Sequence, residues 1–156
     1  MLNDDYKDIL RALNDAKVEY LLVGAYAMAV HGYPRATMDI DIWVSPTTEN
    51  AGAVLRALKR FSAPPYHLTE ADLKKDDTIF QIGVAPCRID IITGVTGLQF
   101  DAAAKRSTKT EFDGIPVHIL SIGDIITNKR STGRTKDLAD AEYLESQTGP
   151  RVDDSE

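Results

Sequence analysis

The hydrophobic positions of this chain recur with two spacings, which divide the sequence into helices and strands. Apolar residues on one helical face, flanked by capping residues, predict helices at residues 4–17, 25–30, 46–61, 69–75, 100–105, 122–129 and 135–145. Continuous or alternating apolar runs predict strands at residues 20–23, 38–44, 78–84, 87–93, 108–112 and 115–120. No internal repeat is visible, so these elements are expected to form one domain.

Short polar motifs mark the expected ends of these elements. N-terminal caps are predicted at Ser45 with Pro46, at Thr69 with Asp72 and at Ser121 with Asp124. The dipeptides at residues 85–86 and 113–114 predict two antiparallel hairpins. The domain is expected to span residues 1–145, and residues 146–156 are expected to form a frayed tail.

The composition is that of an ordinary soluble globular protein. Of the 156 residues, 43% are hydrophobic and 27% are charged, which excludes a disordered or membrane-spanning chain. The single cysteine, Cys87, has no partner for an internal disulfide and is expected to be an inert core thiol. The acidic N-terminus is unlike a signal peptide, and the longest apolar run, residues 20–30, is too short to span a bilayer. A cytoplasmic protein with no membrane partner is therefore expected.

Polar and apolar side chains alternate in the strand predicted at residues 38–44. The alternation puts Asp39, Asp41 and Trp43 on one face and aliphatic residues on the other. Two carboxylates about 7 Å apart along a strand repel each other, and partial burial raises the cost of ionising both. Magnesium, which takes oxygen ligands together with substrate phosphates, is the best-suited compensating cation. The alternative is a half-exposed edge strand with solvated carboxylates.

A third aspartate, Asp90, lies in the apolar run at residues 89–92. Three carboxylates can hold two metal ions, which stabilise both oxygens of a phosphoryl displacement. Asp39, Asp41 and Asp90 are therefore the candidate catalytic and metal-binding residues. The alternative for Asp90 is a salt bridge with Arg88, which shares its strand face.

Positive charge is concentrated in one segment. The net charge of −6 argues against a broad duplex-DNA footprint, because such binding neutralises many phosphates. A local basic site remains at Lys129, Arg134 and Lys136, and Asp137 and Asp140 are spaced to pair with these cations. The alternative is a set of solvated helix charges.

Several of these residues stand in a characteristic order. The order is Gly24 at a strand end, the run Arg35-x-Thr37-x-Asp39-x-Asp41, then Asp90, then Lys129 followed by Gly133-Arg134-x-Lys136-Asp137-x-x-Asp140. Over residues 20–145 the chain resembles the small nucleotidyltransferases of the DNA polymerase beta superfamily. Within that superfamily it is most similar to the bacterial minimal nucleotidyltransferases and the toxins of abortive-infection toxin–antitoxin pairs.

The resemblance implies an α/β nucleotidyltransferase fold in which helices flank a mixed sheet. It implies transfer of a nucleoside monophosphate from a nucleoside triphosphate such as ATP to a hydroxyl acceptor. Asp39, Asp41 and Asp90 would hold two magnesium ions, with manganese as the alternative, and Asp90 would lie near the attacking hydroxyl. The residues implied to bind the nucleotide are Gly24, Ala25, Arg35, Lys129, Arg134 and Lys136.

The sequence departs from the superfamily at one position. Ala25 follows Gly24 where the superfamily usually has Gly or Ser, so a hydroxyl contact to phosphate is missing. This departure suggests an alternative function, a catalytically silent nucleotide-binding module. A second alternative is an interaction protein that acts in a toxin–antitoxin pair with a cognate antitoxin. The acceptor is left open between a tRNA end, a protein side chain and a small molecule, because the motif does not encode the acceptor surface.

Overall fold

A mixed six-stranded sheet organises the computed structural model, which describes residues 4–33, 39–61, 68–83 and 88–148. The strands are β1 (Tyr20–Val23), β2 (Asp39–Val44), β3 (Ile79–Ile82), β4 (Arg88–Ile92), β5 (Thr108–Phe112) and β6 (Ile115–Ile119). Their order across the sheet is β3-β4-β2-β1-β6-β5. The pairs β1–β6 and β2–β4 are parallel, whereas β1–β2, β3–β4 and β5–β6 are antiparallel.

Helices flank this sheet, as the predicted fold class requires. Within the described ranges they are α1 (Asp4–Asp15), α2 (Gly24–Val30), α3 (Thr48–Arg60), α4 (Glu70–Lys74), α5 (Phe100–Arg106), α6 (Ile122–Thr132) and α7 (Thr135–Thr148). The prediction of a mixed sheet flanked by helices is confirmed.

The central strands are fixed by a continuous apolar core. Leu22 of β1, Ile40 and Ile42 of β2 and Ile91 of β4 are fully buried and form one cluster with the apolar faces of α1 and α3. Burying such a side chain contributes roughly 1.5 to 3 kcal/mol. The backbone of β2 and β4, the strands that carry the candidate aspartates, is therefore held by packing on the aliphatic face.

The start of α3 differs from the predicted cap. The N–H of Ser45 donates to the carbonyl of Glu19 at 3.1 Å and so continues the pairing of β1 with β2. Thr47 is the cap instead, and its side chain accepts from the N–H of Asn50 at 3.2 Å. The prediction that Ser45 caps a helix beginning at Pro46 is wrong by two residues, because the strand ladder extends through Ser45.

The other predicted caps and the second hairpin turn are confirmed. Thr69 and Asp72 form a reciprocal capping box, and the Ser121 side chain accepts from the N–H of Asp124. Between β5 and β6, Asp113 and Gly114 both have positive φ, 49° and 83°. Two successive residues in the left-handed region are typical of the tight turn that joins antiparallel strands.

The last two helices are longer than the apolar pattern predicts. α6 continues past Lys129 to Thr132, where Gly133 ends it in the left-handed conformation at φ 71°. α7 continues to Thr148, so residues 146–148 belong to the helix rather than to the expected tail. Polar helix ends of this kind carry no apolar periodicity, which is why the pattern stops short of them.

Some predictions fall outside the described residues. These are the substrate contact at Arg35, the hairpin turn at residues 85–86, the core thiol at Cys87 and the tail from residue 149 onward. Across the ranges that are described, no helix is both long and apolar enough to cross a membrane.

The side-chain amide of Asn50 joins β1, β2 and α3, and its removal is predicted to destabilise the protein. It is 5% exposed, accepts from the N–H of Glu19 at 2.7 Å, and donates to the carbonyls of Glu19 and Ser45 at 3.0 and 2.9 Å. Asn50→Ala removes all three bonds, of which only the one to the Glu19 carbonyl is backed by a second donor, the N–H of Ser45, and it should cost about 1 to 3 kcal/mol in urea unfolding. The exposed Arg56→Ala on the same helix should stay within about 0.5 kcal/mol of the parent. Equal losses in the two variants would contradict this assignment.

Candidate active site

The pairing of β2 with β4 brings two of the predicted aspartates side by side. In this parallel register Asp41 is opposite Asp90, and Asp39 is opposite Arg88. Because side chains alternate along each strand, these four residues share one face of the sheet. Sequence periodicity predicts which residues of one strand share a face. The register of the β2–β4 pair adds which residues of the two strands lie opposite each other.

Asp39 forms an ion pair with Arg88. Nη2 of Arg88 lies 3.2 Å from Oδ2 of Asp39, and both side chains are about one-third exposed, at 39% and 33%. The sequence-based alternative that paired Arg88 with Asp90 is wrong in its partner, because the register places the guanidinium opposite Asp39. Arg88 thus supplies a positive charge next to the three aspartates Asp39, Asp41 and Asp90.

The Asp41 and Asp90 carboxyl groups interact directly and are largely shielded from water. Burial, followed by the charge and hydrogen bond of Asp90 and the charge of Asp39, raises the pKa of Asp41 to about 7, while Arg88 opposes the shift. Oδ1 of Asp90 is buried and has no hydrogen-bond partner within the described part of the chain. The pair therefore carries unmet capacity to bind a cation or a proton.

Gly24, directly after the neighbouring strand β1, packs closely against Asp41. Val23, the last residue of β1, is in register with Asp41, and Gly24 follows it with φ 71°. A Cβ built on Gly24 would overlap Oδ2 of Asp41. A glycine is thus required here both by the backbone conformation and by the approach of the carboxylate.

A cleft of about 580 Å³ opens between Asp41 of β2 and the last two helices, α6 and α7. One wall includes the turn after β1 and the side chain of Asp41. The opposite wall comes from α6 and the start of α7. Of the residues predicted to bind the nucleotide, those that line this cleft are Gly24, Ala25, Lys129, Arg134 and Lys136.

Lys129 is held in the cleft wall by two carboxylates of α7. Its Nζ lies 3.2 Å from Oδ2 of Asp140 and 3.7 Å from Oδ1 of Asp137, and all three side chains are 17–18% exposed. Thr132 donates to Asp137 at 2.7 Å and extends the network. The three-residue spacing of the two aspartates predicts this pairing. Lys129 is therefore an anchored, mostly buried cation and not a solvated helix charge.

The predicted cluster of three metal-binding carboxylates has only part of its expected geometry. The described residues contain no group of three or more His, Cys, Asp or Glu side chains placed to hold a metal ion together. Asp41 and Asp90 do offer adjacent oxygen donors, one of them unpartnered, which suits a hard divalent cation that also binds substrate phosphates. These two residues fit one such cation, and the assignment of two ions to three aspartates stays a prediction.

Sequence reasoning missed the part of the cleft wall that lies between the strands and α6. Gly94, Val95 and Thr96 line the cleft, and Asn128 of α6 donates to the carbonyl of Thr96 at 2.9 Å. This segment has no charge pattern and no periodicity. The sequence predicts the end of the preceding strand to within one residue, but it does not reveal that α6 docks against this segment.

The overlap between a side chain at position 24 and Asp41 predicts a specific mutational cost. Gly133 has the same φ of 71° as Gly24, but a Cβ there meets nothing within 4 Å. Gly133→Ala should lose only the roughly 1 to 2 kcal/mol of the left-handed conformation, and Gly24→Ala should lose clearly more. In an Asp41→Ala background the two alanine substitutions should cost the same. Urea unfolding of these variants checks the cycle, and equal costs in the parent would contradict the overlap.

Ionisation of Asp41 should weaken the metal-free protein. Since its folded-state pKa is raised to about 7, with Asp90, Asp39 and Arg88 facing it, the destabilisation is present above pH 7 and fades toward pH 4. In EDTA, Asp41→Asn should therefore be more stable than the parent at pH 8, by more than about 1 kcal/mol since one pKa unit is worth about 1.4 kcal/mol. The advantage should shrink at pH 5. The exposed Glu142→Gln serves as the charge-matched control, and a pH-independent difference for Asp41→Asn would refute the argument.

Two solved structures share this arrangement of strands and helices. A candidate nucleotidyltransferase from Thermotoga maritima is 17% identical, with a TM-score of 0.55 and 94% of each chain covered. The antibiotic-resistance factor ANT(2'')-Ia is 14% identical, with a TM-score of 0.57, and the match covers 94% of this chain and 84% of that one. The sequence matches no protein-family profile and no curated protein. At these identities the likeness establishes the fold, and the chain has a nucleotidyltransferase-type fold, as the sequence resemblance implies.

Proposed function

We propose that this chain transfers a nucleoside monophosphate from a nucleoside triphosphate to a hydroxyl acceptor. The observation that carries the proposal is the cleft itself, in which Asp41, paired with Asp90, faces the cationic wall of Lys129, Arg134 and Lys136. A triphosphate needs positive charge along its oxygens and a cation-binding carboxylate pair at the reacting phosphorus. The two walls of the cleft supply these separately.

In this proposal the chain divides the reaction between its two walls. The acceptor oxygen forms a bond to the α-phosphorus while the bond from that phosphorus to the β-phosphate oxygen breaks, and pyrophosphate leaves. Lys129, anchored by Asp137 and Asp140, would bind the triphosphate and stabilise the negative charge that develops on the leaving pyrophosphate. The hydroxyl proton would pass to Asp90, whose Oδ1 has no other hydrogen-bond partner in the described chain.

Asp41 and Asp90 would hold a divalent cation, magnesium or manganese, and Asp39 is the proposed third ligand for a second ion. Such ions stabilise the charge that develops on the attacking and leaving oxygens. For Asp39 to take that role, its carboxylate must exchange the ion pair with Arg88 for a metal bond. This exchange is a specific requirement of the two-ion form of the mechanism.

A second function, a nucleotide-binding module without turnover, is favoured by two observations. Ala25 provides no hydroxyl to the turn after β1, and Arg88 occupies the carboxylate of Asp39. The two functions differ in a measurable way. Both bind the nucleoside triphosphate, but only the first consumes it when magnesium is added.

The test is to supply each α-labelled nucleoside triphosphate with magnesium and total cellular RNA, protein or small molecules, and to follow the label. Transfer that requires magnesium and is abolished by Asp41→Asn is the expected result. Nucleotide binding without any transfer would replace the proposal with the silent module. Near-normal turnover by Asp41→Asn would reject the metal-dependent mechanism.

The cationic wall makes a separate prediction about affinity. Lys129→Ala should weaken nucleotide binding by roughly 1.5 to 3 kcal/mol in calorimetric titration, and the loss should shrink as salt is raised. Lys136→Ala, whose exposed side chain has no ion pair within the described residues, should also weaken binding without disturbing the α6–α7 contact. Lys109→Ala, on the edge strand β5, is the matched control and should leave affinity unchanged. Unchanged affinity in both cleft variants would show that this wall does not bind the nucleotide, and Lys129 would then serve only to join α6 to α7.

A further inference from the structure

A second cleft of about 520 Å³ adjoins the proposed nucleotide cleft. It lies at the ends of β2 and β4 and is closed on one side by the start of α5. Gly94, Val95 and Thr96 line both clefts, so this short segment is a shared wall between them. A molecule in the second cleft would therefore sit beside a molecule in the first.

The second cleft has a strongly one-sided charge. Asp76, Asp77 and Asp101 line it, and none of its lining residues in the described chain is Lys, Arg or His. No ion pair of the described residues involves any of these three carboxylates, in contrast to the paired Asp137 and Asp140 of the neighbouring cleft. Three uncompensated carboxylates around one concave surface favour a cationic ligand.

The floor of the same cleft carries two unused hydrogen-bonding groups. Trp43 and Ser45 line it and are each 1% exposed. Neither Nε1 of Trp43 nor Oγ of Ser45 has a hydrogen-bond partner within the described part of the chain. Buried polar atoms are almost always paired, so two orphans at one cleft point to a ligand that supplies the missing oxygen or hydroxyl.

We propose that this cleft binds a small molecule that carries both a protonated amine and hydroxyl groups. The amine would lie among Asp76, Asp77 and Asp101, and a hydroxyl oxygen would accept from Nε1 of Trp43. Resting on the proposed function, this inference assigns the cleft to the acceptor, because a hydroxyl near the shared wall at residues 94–96 is directed toward the nucleotide. Nucleic acid is disfavoured here, since the phosphates would meet three carboxylates.

Trp43 is the only tryptophan of the chain, so its indole N–H gives one signal in an amide-correlation NMR spectrum. The probe is 1,3-diamino-2-propanol, and glycerol, which has the same carbon skeleton without the amines, is the matched control compound. At constant ionic strength and without nucleotide or metal, the diamine should shift the Trp43 signal saturably. Glycerol at equal concentrations should leave it in place.

The matched variants have equal changes in charge. The affinity for the diamine should fall at least tenfold in the triple variant Asp76→Asn, Asp77→Asn and Asp101→Asn. Asparagine tolerates the positive φ of 64° at position 77. Glu70→Gln with Glu111→Gln and Glu142→Gln removes three exposed carboxylates elsewhere and should stay within twofold of the parent. An unmoved Trp43 signal, an equal response to glycerol, or equal affinity in the two triple variants would overturn the proposal.

This test is independent of the proposed transfer reaction. Lys129→Ala, in the neighbouring cleft, should leave diamine binding unchanged. Saturable diamine binding in a protein that neither binds nor consumes nucleoside triphosphates would reject the proposed function alone. Transfer activity in a protein whose Trp43 signal ignores the diamine would reject the amine site alone.

Discussion

The in-register pairing of Asp41 with Asp90 is the interaction on which the rest of the candidate site depends. Two carboxyl groups meet on one sheet face because β2 and β4 are parallel neighbours, and their aliphatic faces fix both strands in the core. Burial, followed by repulsion between the two groups, raises the pKa of Asp41, so one proton or one cation is needed to stabilise the pair. Only glycine fits at position 24, because the Cβ of any other residue would overlap Oδ2 of Asp41.

Charge compensation in this molecule is arranged at two distances. Arg88 lies next to the three aspartates on the same sheet face and forms an ion pair with Asp39. Lys129 lies across the cleft, and two aspartates of α7 keep it there at the cost of neutralising much of its field. Arg134 and Lys136 line the same cleft, are exposed and form no ion pair within the described residues. A polyanion entering the cleft would thus meet two exposed cations and one anchored, mostly buried cation.

The sequence predicts the elements of this fold better than their assembly. Periodicity identifies the strands around Asp41 and Asp90 because burial of one face imposes alternation over several residues. It does not identify which residues of two strands meet, so the alternative that pairs Asp90 with Arg88 of its own strand is wrong, and Arg88 pairs with Asp39 across the sheet. The cap at Thr47 was missed for a related reason, since only the β1–β2 ladder shows that Ser45 is still part of the sheet. The second cleft has no sequence signal, because its walls come from three separate segments, residues 43–47, 76–77 and 93–101.

The position of β1 between β2 and β6 has a consequence for how the two walls of the cleft come together. β2 follows β1 closely along the chain. β6 (Ile115–Ile119), in contrast, pairs with β1 although β2, β3, β4 and β5 lie between them in the sequence. Closing a longer loop costs more conformational entropy, and contacts between distant segments form more slowly. The acidic wall is therefore a product of the nearer pairings among residues 20–92. The basic wall, carried by the helices after β6, depends on the longest-range pairing of the sheet, so a ligand that bridges both walls would stabilise that pairing.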